Sequence, residues 1–188
     1  MAIVVKEVNK IVENKSTEKT EYASKPITAK LEWFEVSTAL HIAGLRCTES
    51  LRMGLKDHPT YRGRDQHDNL YGVLGEIAFA KATDSYFPMS VNTFKGADIG
   101  SNWQVRTVGS NKNRDLIIRP KDSGEHYYVL VEIEKSNVTS AYTYTIHGWI
   151  HGSDGKNDKY LSDFGYADRA KAFRIPQNRL NPPHQMPI

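Results

Sequence analysis

Cysteine is almost missing from this chain: Cys47 is the only one among 188 residues. That excludes an internal disulfide framework and a cysteine-rich zinc site, and leaves packing in a reducing compartment as the source of stability. Long apolar runs are missing too. No stretch approaches the roughly 20 residues that span a bilayer, and the apolar segment of MAIVVKEVNK is too short for a secretory signal. A cytoplasmic chain without membrane association is therefore expected. An excess of one charge is also lacking: the net charge is +3, whereas a domain that coats nucleic acid without specificity is far more basic. A nucleic-acid partner is permitted, not required. What the chain does have is 39% hydrophobic residues, enough for one domain with a real core and too short a length for two.

Residues 1–30 interleave six lysines with four glutamates around one aromatic, Tyr22, which predicts a charged, mobile or loosely docked arm. From residue 31, Leu31, Phe34, Thr38, Ile42, Leu45 and Leu51 recur at roughly helical spacing, predicting a long amphipathic helix, bent near Gly44 and ended by Pro59 and Gly63. A second helix reads from HDNLYGVLGEIAFAKAT, capped by Asp68 or Asn69, with Leu70, Val73, Leu74, Ile77 and Ala78 as its core stripe. The period then changes to two. MSVNTF, ADI, WQVRTV, DLIIRP, HYYVLVEI and AYTYTIHGWI read as strands separated by turn-rich segments. Two helices followed by a run of strands predict an α+β fold, a mixed sheet with helices packed against it, over residues 31–180. The last residues, with four prolines in RIPQNRLNPPHQMPI, close the chain as an irregular tail at 181–188.

Three stretches could carry chemistry. Glu76 is the only charge between Leu70 and Ala80, with Gly72 and Ala80 one turn either side, so another element can approach it closely. A carboxylate in such apolar surroundings demands a metal, a hydrogen-bond donor or an arginine partner. Asp98 precedes a Gly-Ser-Asn turn. If Gly100, Ser101 and Asn102 form a three-residue loop, Ile99 pairs with Trp103, and Asp98 lies opposite Gln104 on the face shared with Arg106; a two-residue loop would separate them. Asp98 read alone is a turn-capping side chain. Arg106, Lys112, Arg114, Arg119 and Lys121 cluster beside this motif, as a basic patch or as the flanks of a solvated hairpin.

Other candidates carry less. His147 and His151 are four apart, but Gly148, Gly152 and the preceding strand argue against one helical face for zinc. Asp154 and Lys156 lack the strand and helix of a phosphate loop. Cys47 has no designated base and reads as a small buried residue. The alternating tyrosines of the strands could stack on bases, and they are also what a packed sheet uses.

The acid on a buried helix followed by the aspartate and Q-x-R of a hairpin resembles the PD-(D/E)XK nuclease superfamily. GVLGEIAFAKA, SVNTFKGADIGSNWQVRT, LIIRPKD, YVLVEI, GWIHGSDGK and FRIPQNRL, in this order, look like a phage-encoded group of that superfamily over roughly residues 31–180. The resemblance implies a restriction-endonuclease-like core, a central mixed sheet flanked by helices with an extra N-terminal helix, in the cytoplasm of a host cell. It implies a Mg²⁺ or Mn²⁺ site made by Glu76, Asp98, Gln104 and the backbone carbonyl of Val105, with Arg106 in the place of the family's lysine. It further implies DNA as substrate, contacts from Lys112, Arg114 and Arg119, and a homodimer for paired cleavage. Two positions depart from the family's types. Gln104 supplies an oxygen but no charge, and Arg106 cannot act as a base, although it can clamp a phosphate. A nuclease-fold protein that binds DNA, RNA or a host protein without turnover is the alternative.

Overall fold

The protein is described from a computed structural model that covers residues 25–54, 65–91, 96–110, 115–137, 139, 141–163 and 171–188. Its centre is a four-stranded mixed sheet in the order β1-β5-β4-β2, built from β1 (Ile27–Leu31), β2 (Trp103–Gly109), β4 (Tyr127–Lys135) and β5 (Tyr142–His151). β2 runs parallel to β4, while β4 with β5 and β5 with β1 are antiparallel. Two helices, α1 (Trp33–Arg52) and α2 (Asp65–Ala82), cover one face. A smaller sheet in the order β3-β7-β6, from β3 (Leu116–Ile118), β6 (Leu161–Ser162) and β7 (Ala172–Ile175), covers the other. The chain is thus α+β, with a mixed sheet and helices packed on it, as the switch of period predicts.

The layers explain the burial of β4, where every residue from Tyr128 to Ile133 is buried. Val129, Val131 and Ile133 pack toward the helices, and Tyr128 and Leu130 toward the small sheet. A strand covered on both faces needs this near-continuous apolar run. On the helix side α2 is buried without a break from Val73 to Ala80, as its lack of polar residues predicts. Gly75 lets it press onto β2: a Cβ there would lie 2.0 Å from Thr107 Oγ1.

Several boundaries differ from the sequence reading. Ile27–Leu31, inside the stretch read as an arm, is a strand at the edge of the main sheet; residues 1–24 of that arm lie outside the described residues. α1 begins at Trp33 rather than Leu31 and runs without interruption through Gly44, opened by a capping box between Glu32 and Glu35. Its buried stripe is Ala39, Ile42 and Ala43, whereas Phe34, Leu45 and Leu51 are exposed. α2 begins at Asp65, so Asp68 and Asn69 are inside it and cap nothing. Residues 89–91 form no strand, the rest of MSVNTF lies outside the described residues, and Ile99 makes only an isolated bridge.

The C-terminal tail docks on the sheet. Trp149 and Asn181 exchange backbone hydrogen bonds of 3.0 and 2.7 Å, and Trp149 Nε1 donates to the Pro182 carbonyl at 3.1 Å. A bulge in β5 prepares this contact. Leu130 pairs with Gly148 and Val131 with Ile146, so His147 is the extra residue. The bulge turns Trp149 onto the helix-side cluster and Ile150 onto the opposite one.

Candidate functional site

The site grows from the free edge of β2. Ile99 bridges Trp103, closing the three-residue loop Gly100–Asn102, with Gly100 at a φ of 61°. This is the register on which the convergence of Asp98 with the strand depends, and glycine meets its left-handed requirement without strain. The Asp98 N–H donates to the Trp103 carbonyl at 2.8 Å, and its carboxylate accepts the Val105 N–H at 2.7 Å. In a strand, the N–H and C=O of one residue point to the same side. The Val105 carbonyl therefore shares the Asp98 edge of β2.

Gln104 and Arg106 alternate onto the face away from the helices. Gln104 Nε2 donates to the Gly96 carbonyl at 2.8 Å, which sets its amide against the segment leading into Asp98. The Arg106 Nε donates to the Ile117 carbonyl at 3.2 Å, and its Nη2 to Asp122 at 2.7 Å. The guanidinium stands 5.1 Å above the centroid of the Tyr128 ring, which adds a cation–π attraction. Burial, then the charge of Asp122, pushes the Tyr128 hydroxyl up to about 12. That hydroxyl donates to the Ser123 carbonyl at 2.8 Å and is a neutral donor at physiological pH.

Glu76 comes from α2, within electrostatic reach of Asp98, and is 5% exposed. Its partner was not anticipated by number: Arg46 of α1 holds both carboxylate oxygens, Nη1 to Oε1 at 2.8 Å and Nη2 to Oε2 at 2.7 Å. The arginine-partner reading of Glu76 is thus the observed one. Arg46 Nε donates to the Ser90 carbonyl at 3.0 Å, which fixes the guanidinium plane. Asp98 lies within the electrostatic reach of Glu76, Arg46, Arg106 and His126. Burial, only partly offset by the Val105 N–H and these cations, raises the pKa of Asp98. Burial likewise raises that of Glu76 against the hydrogen bonds and charge of Arg46, and the nearby Asp98 adds to the rise. Burial opposes the charge on Arg46, but Glu76 and Asp98 together keep its pKa above the ordinary value.

Asp98 is the shared point: it lies within electrostatic reach of Glu76 and Arg46 from the helices and of Arg106 from the other face of β2, where Gln104 also lies. Their donor chemistry suits a hard divalent cation: carboxylate oxygens of Glu76 and Asp98, the amide oxygen of Gln104 and the Val105 carbonyl. Among the described residues no three acidic, histidine or cysteine side chains form a metal cage. Arg119 is exposed, and its N–H donates to Asp122 at 2.8 Å. Lys112 and Arg114 lie outside the described residues.

Arg46 was not legible: the structure shows that the buried stripe Ala39, Ile42 and Ala43 continues at helical spacing into position 46, whereas the apolar pattern of the sequence points to Phe34 and Leu45. Nor were Asp122 and His126, since only the folded loop brings them near Arg106 and Asp98. The remaining candidates have structural roles. His147 pairs with Glu132 at 2.7 Å and with Gln177, while His151 Nδ1 meets Ser153. Lys156 Nζ donates to the Pro120 and Asp122 carbonyls, holding the loop under Arg106. Cys47 Sγ accepts from Asn69 at 3.1 Å. Trp103, Tyr127 and Trp149 pack against one another and Phe79, as core aromatics do. Comparison with family models, curated proteins and solved structures gives no match to this chain.

Proposed function

We propose that this chain is a nuclease of the restriction-endonuclease-like type, which cleaves DNA phosphodiester bonds with Mg²⁺ or Mn²⁺. What supports the reading is that Asp98, at the edge of β2, lies within electrostatic reach of Glu76 from the buried helix and of Arg106 from the strand. Helix, hairpin and strand follow in the order that the PD-(D/E)XK resemblance requires. Glu76, Asp98, Gln104 and the Val105 carbonyl would hold the cation, which when bound supplies charge neutralisation and a more acidic bound water. The chain's own residues supply the rest. Asp98 is oriented by the Val105 N–H, which holds one of its oxygens. Arg106 is held by Ile117 and Asp122 through its Nε and one Nη2 donor, and its three other N–H donors would be the ones to meet a phosphate. An arginine there would bind and stabilise negative charge instead of accepting a proton.

One observation favours a second reading, a nuclease-fold protein that binds nucleic acid or a host protein without turnover. Arg46 already satisfies both oxygens of Glu76. The two readings separate when the purified chain is incubated with supercoiled, linear and single-stranded DNA and with RNA, in Mg²⁺, Mn²⁺ or chelator, beside Asp98→Asn and Arg106→Ala. Metal-dependent cutting that is lost in Asp98→Asn establishes the enzyme. Binding without cutting establishes the second reading with nucleic acid as the partner, and neither binding nor cutting rejects the nuclease and that nucleic-acid reading together.

A further inference from the structure

Arg46 reaches Glu76 from a helix that contributes nothing else to the site, and it does so with its full fork. Its Nη atoms take one carboxylate oxygen each while Nε is tied to the Ser90 carbonyl. The Arg46 side chain is 16% exposed and that of Glu76 is 7% exposed. The acid is sealed, whereas the base still meets solvent. Arg46 is also within electrostatic range of Asp98, so it faces both of the carboxylates assigned to the cation. Two buried carboxylates within electrostatic range of each other repel and are poorly solvated; a positive charge bonded to one and within range of the other relieves both costs. A divalent cation would relieve them in the same way, through the same oxygens.

We propose that Arg46 is an internal counter-cation that stands in for the metal: it holds Glu76 in place in the metal-free protein, offsets the charge of Asp98, and competes with the divalent cation for them. The proposal rests on the reading of Glu76 and Asp98 as metal ligands. It makes Arg46 a residue that sets metal affinity, because entry of the cation requires the guanidinium to give up at least part of its hold on Glu76. Like charges repel, so a neutral residue at position 46 strengthens metal binding. An arginine present only to position Glu76 for the metal has the opposite consequence, since its loss weakens binding. Charge and fork geometry can be separated, because lysine retains the first and loses the second.

The test measures Mn²⁺ binding by titration calorimetry at fixed pH and the shift in melting temperature on adding Mn²⁺, for wild type, Arg46→Gln and Arg46→Lys. Arg46→Gln is expected to bind Mn²⁺ at least tenfold more tightly than wild type and to gain more thermal stability from it. Arg46→Lys is expected within about threefold of wild type, because the charge is kept. Adding Asp98→Asn to Arg46→Gln abolishes the gain. Binding by wild type that is equalled or weakened in Arg46→Gln overturns the inference and leaves the metal site standing. Absence of Mn²⁺ binding in all folded variants overturns the metal site and the inference with it. Where Arg46→Gln does not fold alone, the inference requires excess Mn²⁺ to restore cooperative melting, and failure to do so refutes it.

Discussion

Arg46 and Glu76 form a two-pronged ion pair between α1 and α2, with both bonds under 3 Å and both side chains largely buried. Such a pair contributes little net stability when whole, since burial of the charges offsets their attraction, but it costs much when broken from one side. Glu76→Gln leaves the guanidinium enclosed without its counter-charge, and a loss on the order of 3–5 kcal/mol is expected. The melting temperature of the metal-free chain should fall by on the order of 10 °C. Glu49→Gln, which breaks the exposed pair with Arg52, should leave it unchanged. Thermal denaturation of the two variants under one buffer checks the contrast.

Asp98 behaves in the opposite way. Its raised pKa, like that of Glu76, comes first from burial, so the native state holds these protons more tightly than the unfolded chain. Stability of the metal-free protein therefore declines as pH rises from the ordinary carboxylate range through the raised values, and the loss persists above them. Asp98→Asn keeps an oxygen for the Val105 N–H and removes the charge. Its melting temperature at neutral pH should exceed that of wild type, with a flatter pH dependence over the acidic range. Melting curves from pH 4 to 8 in chelator decide it, and a less stable Asp98→Asn at neutral pH refutes it.

Gly75 sets how close α2 lies to β2. A methyl group there would meet Thr107 Oγ1 at 2.0 Å and the Thr107 Cβ and Cγ2 at 3.0 Å. Thr107 Oγ1 is itself buried with no hydrogen-bond partner among the described residues. Gly75→Ala should destabilise by about 1–3 kcal/mol through overpacking. In a Thr107→Ala background the penalty should shrink markedly, because the oxygen that clashes is gone. A double-mutant cycle in urea measures that coupling.

Arg106 gives a prediction on binding. If its fork contacts a phosphate, Arg106→Ala weakens DNA binding about equally across sequences and lowers the salt slope by about one. Arg106→Lys retains the charge, so its salt slope stays near wild type while affinity falls with the loss of the fork. Fluorescence anisotropy over a range of salt concentrations with two unrelated duplexes provides the readings. A sequence-selective loss would place Arg106 against base edges instead.

What the sequence disclosed follows from the range of the forces involved. The core of α2 and the sharing of a face by Gln104 and Arg106 are local, set by helical or strand period. They were legible, whereas the turn after Ile99 could be read with two or three residues and only the structure shows three. The need of Glu76 for a partner was legible too. The identity of that partner was not, because Phe34 and Leu45 drew attention to an apolar stripe of α1 that proves exposed, while the buried one is made of Ala39, Ile42 and Ala43. Small residues signal close helix packing but score weakly as apolar. The strand at Ile27–Leu31 was hidden for a related reason. It lies at a sheet edge, where Lys30 is exposed and only Leu31 is buried, so its pairing with β5 rests on backbone hydrogen bonds that leave no mark on composition. Asp122 and His126 depend on tertiary placement of a loop, which no spacing encodes.

The docked tail depends on the bulge in the same way. Gly148 has a φ of 156°, and a Cβ on it would lie 2.5 Å from the Asn181 carbonyl oxygen and 2.8 Å from Leu180 Cβ. Only glycine allows β5 and the 180–181 segment to approach this closely, and the approach is what lets Trp149 exchange backbone bonds with Asn181. Gly148→Ala should therefore release the tail, at a cost of about 1–3 kcal/mol, and the Trp149 and Asn181 amides should lose hydrogen-exchange protection together. Deleting residues 180–188 removes the atoms that crowd the new methyl group. In that shortened chain the substitution should cost less, because only the backbone term at position 148 is left. An equal penalty in both chains would show that the glycine is required by the β5 bulge itself and not by the tail.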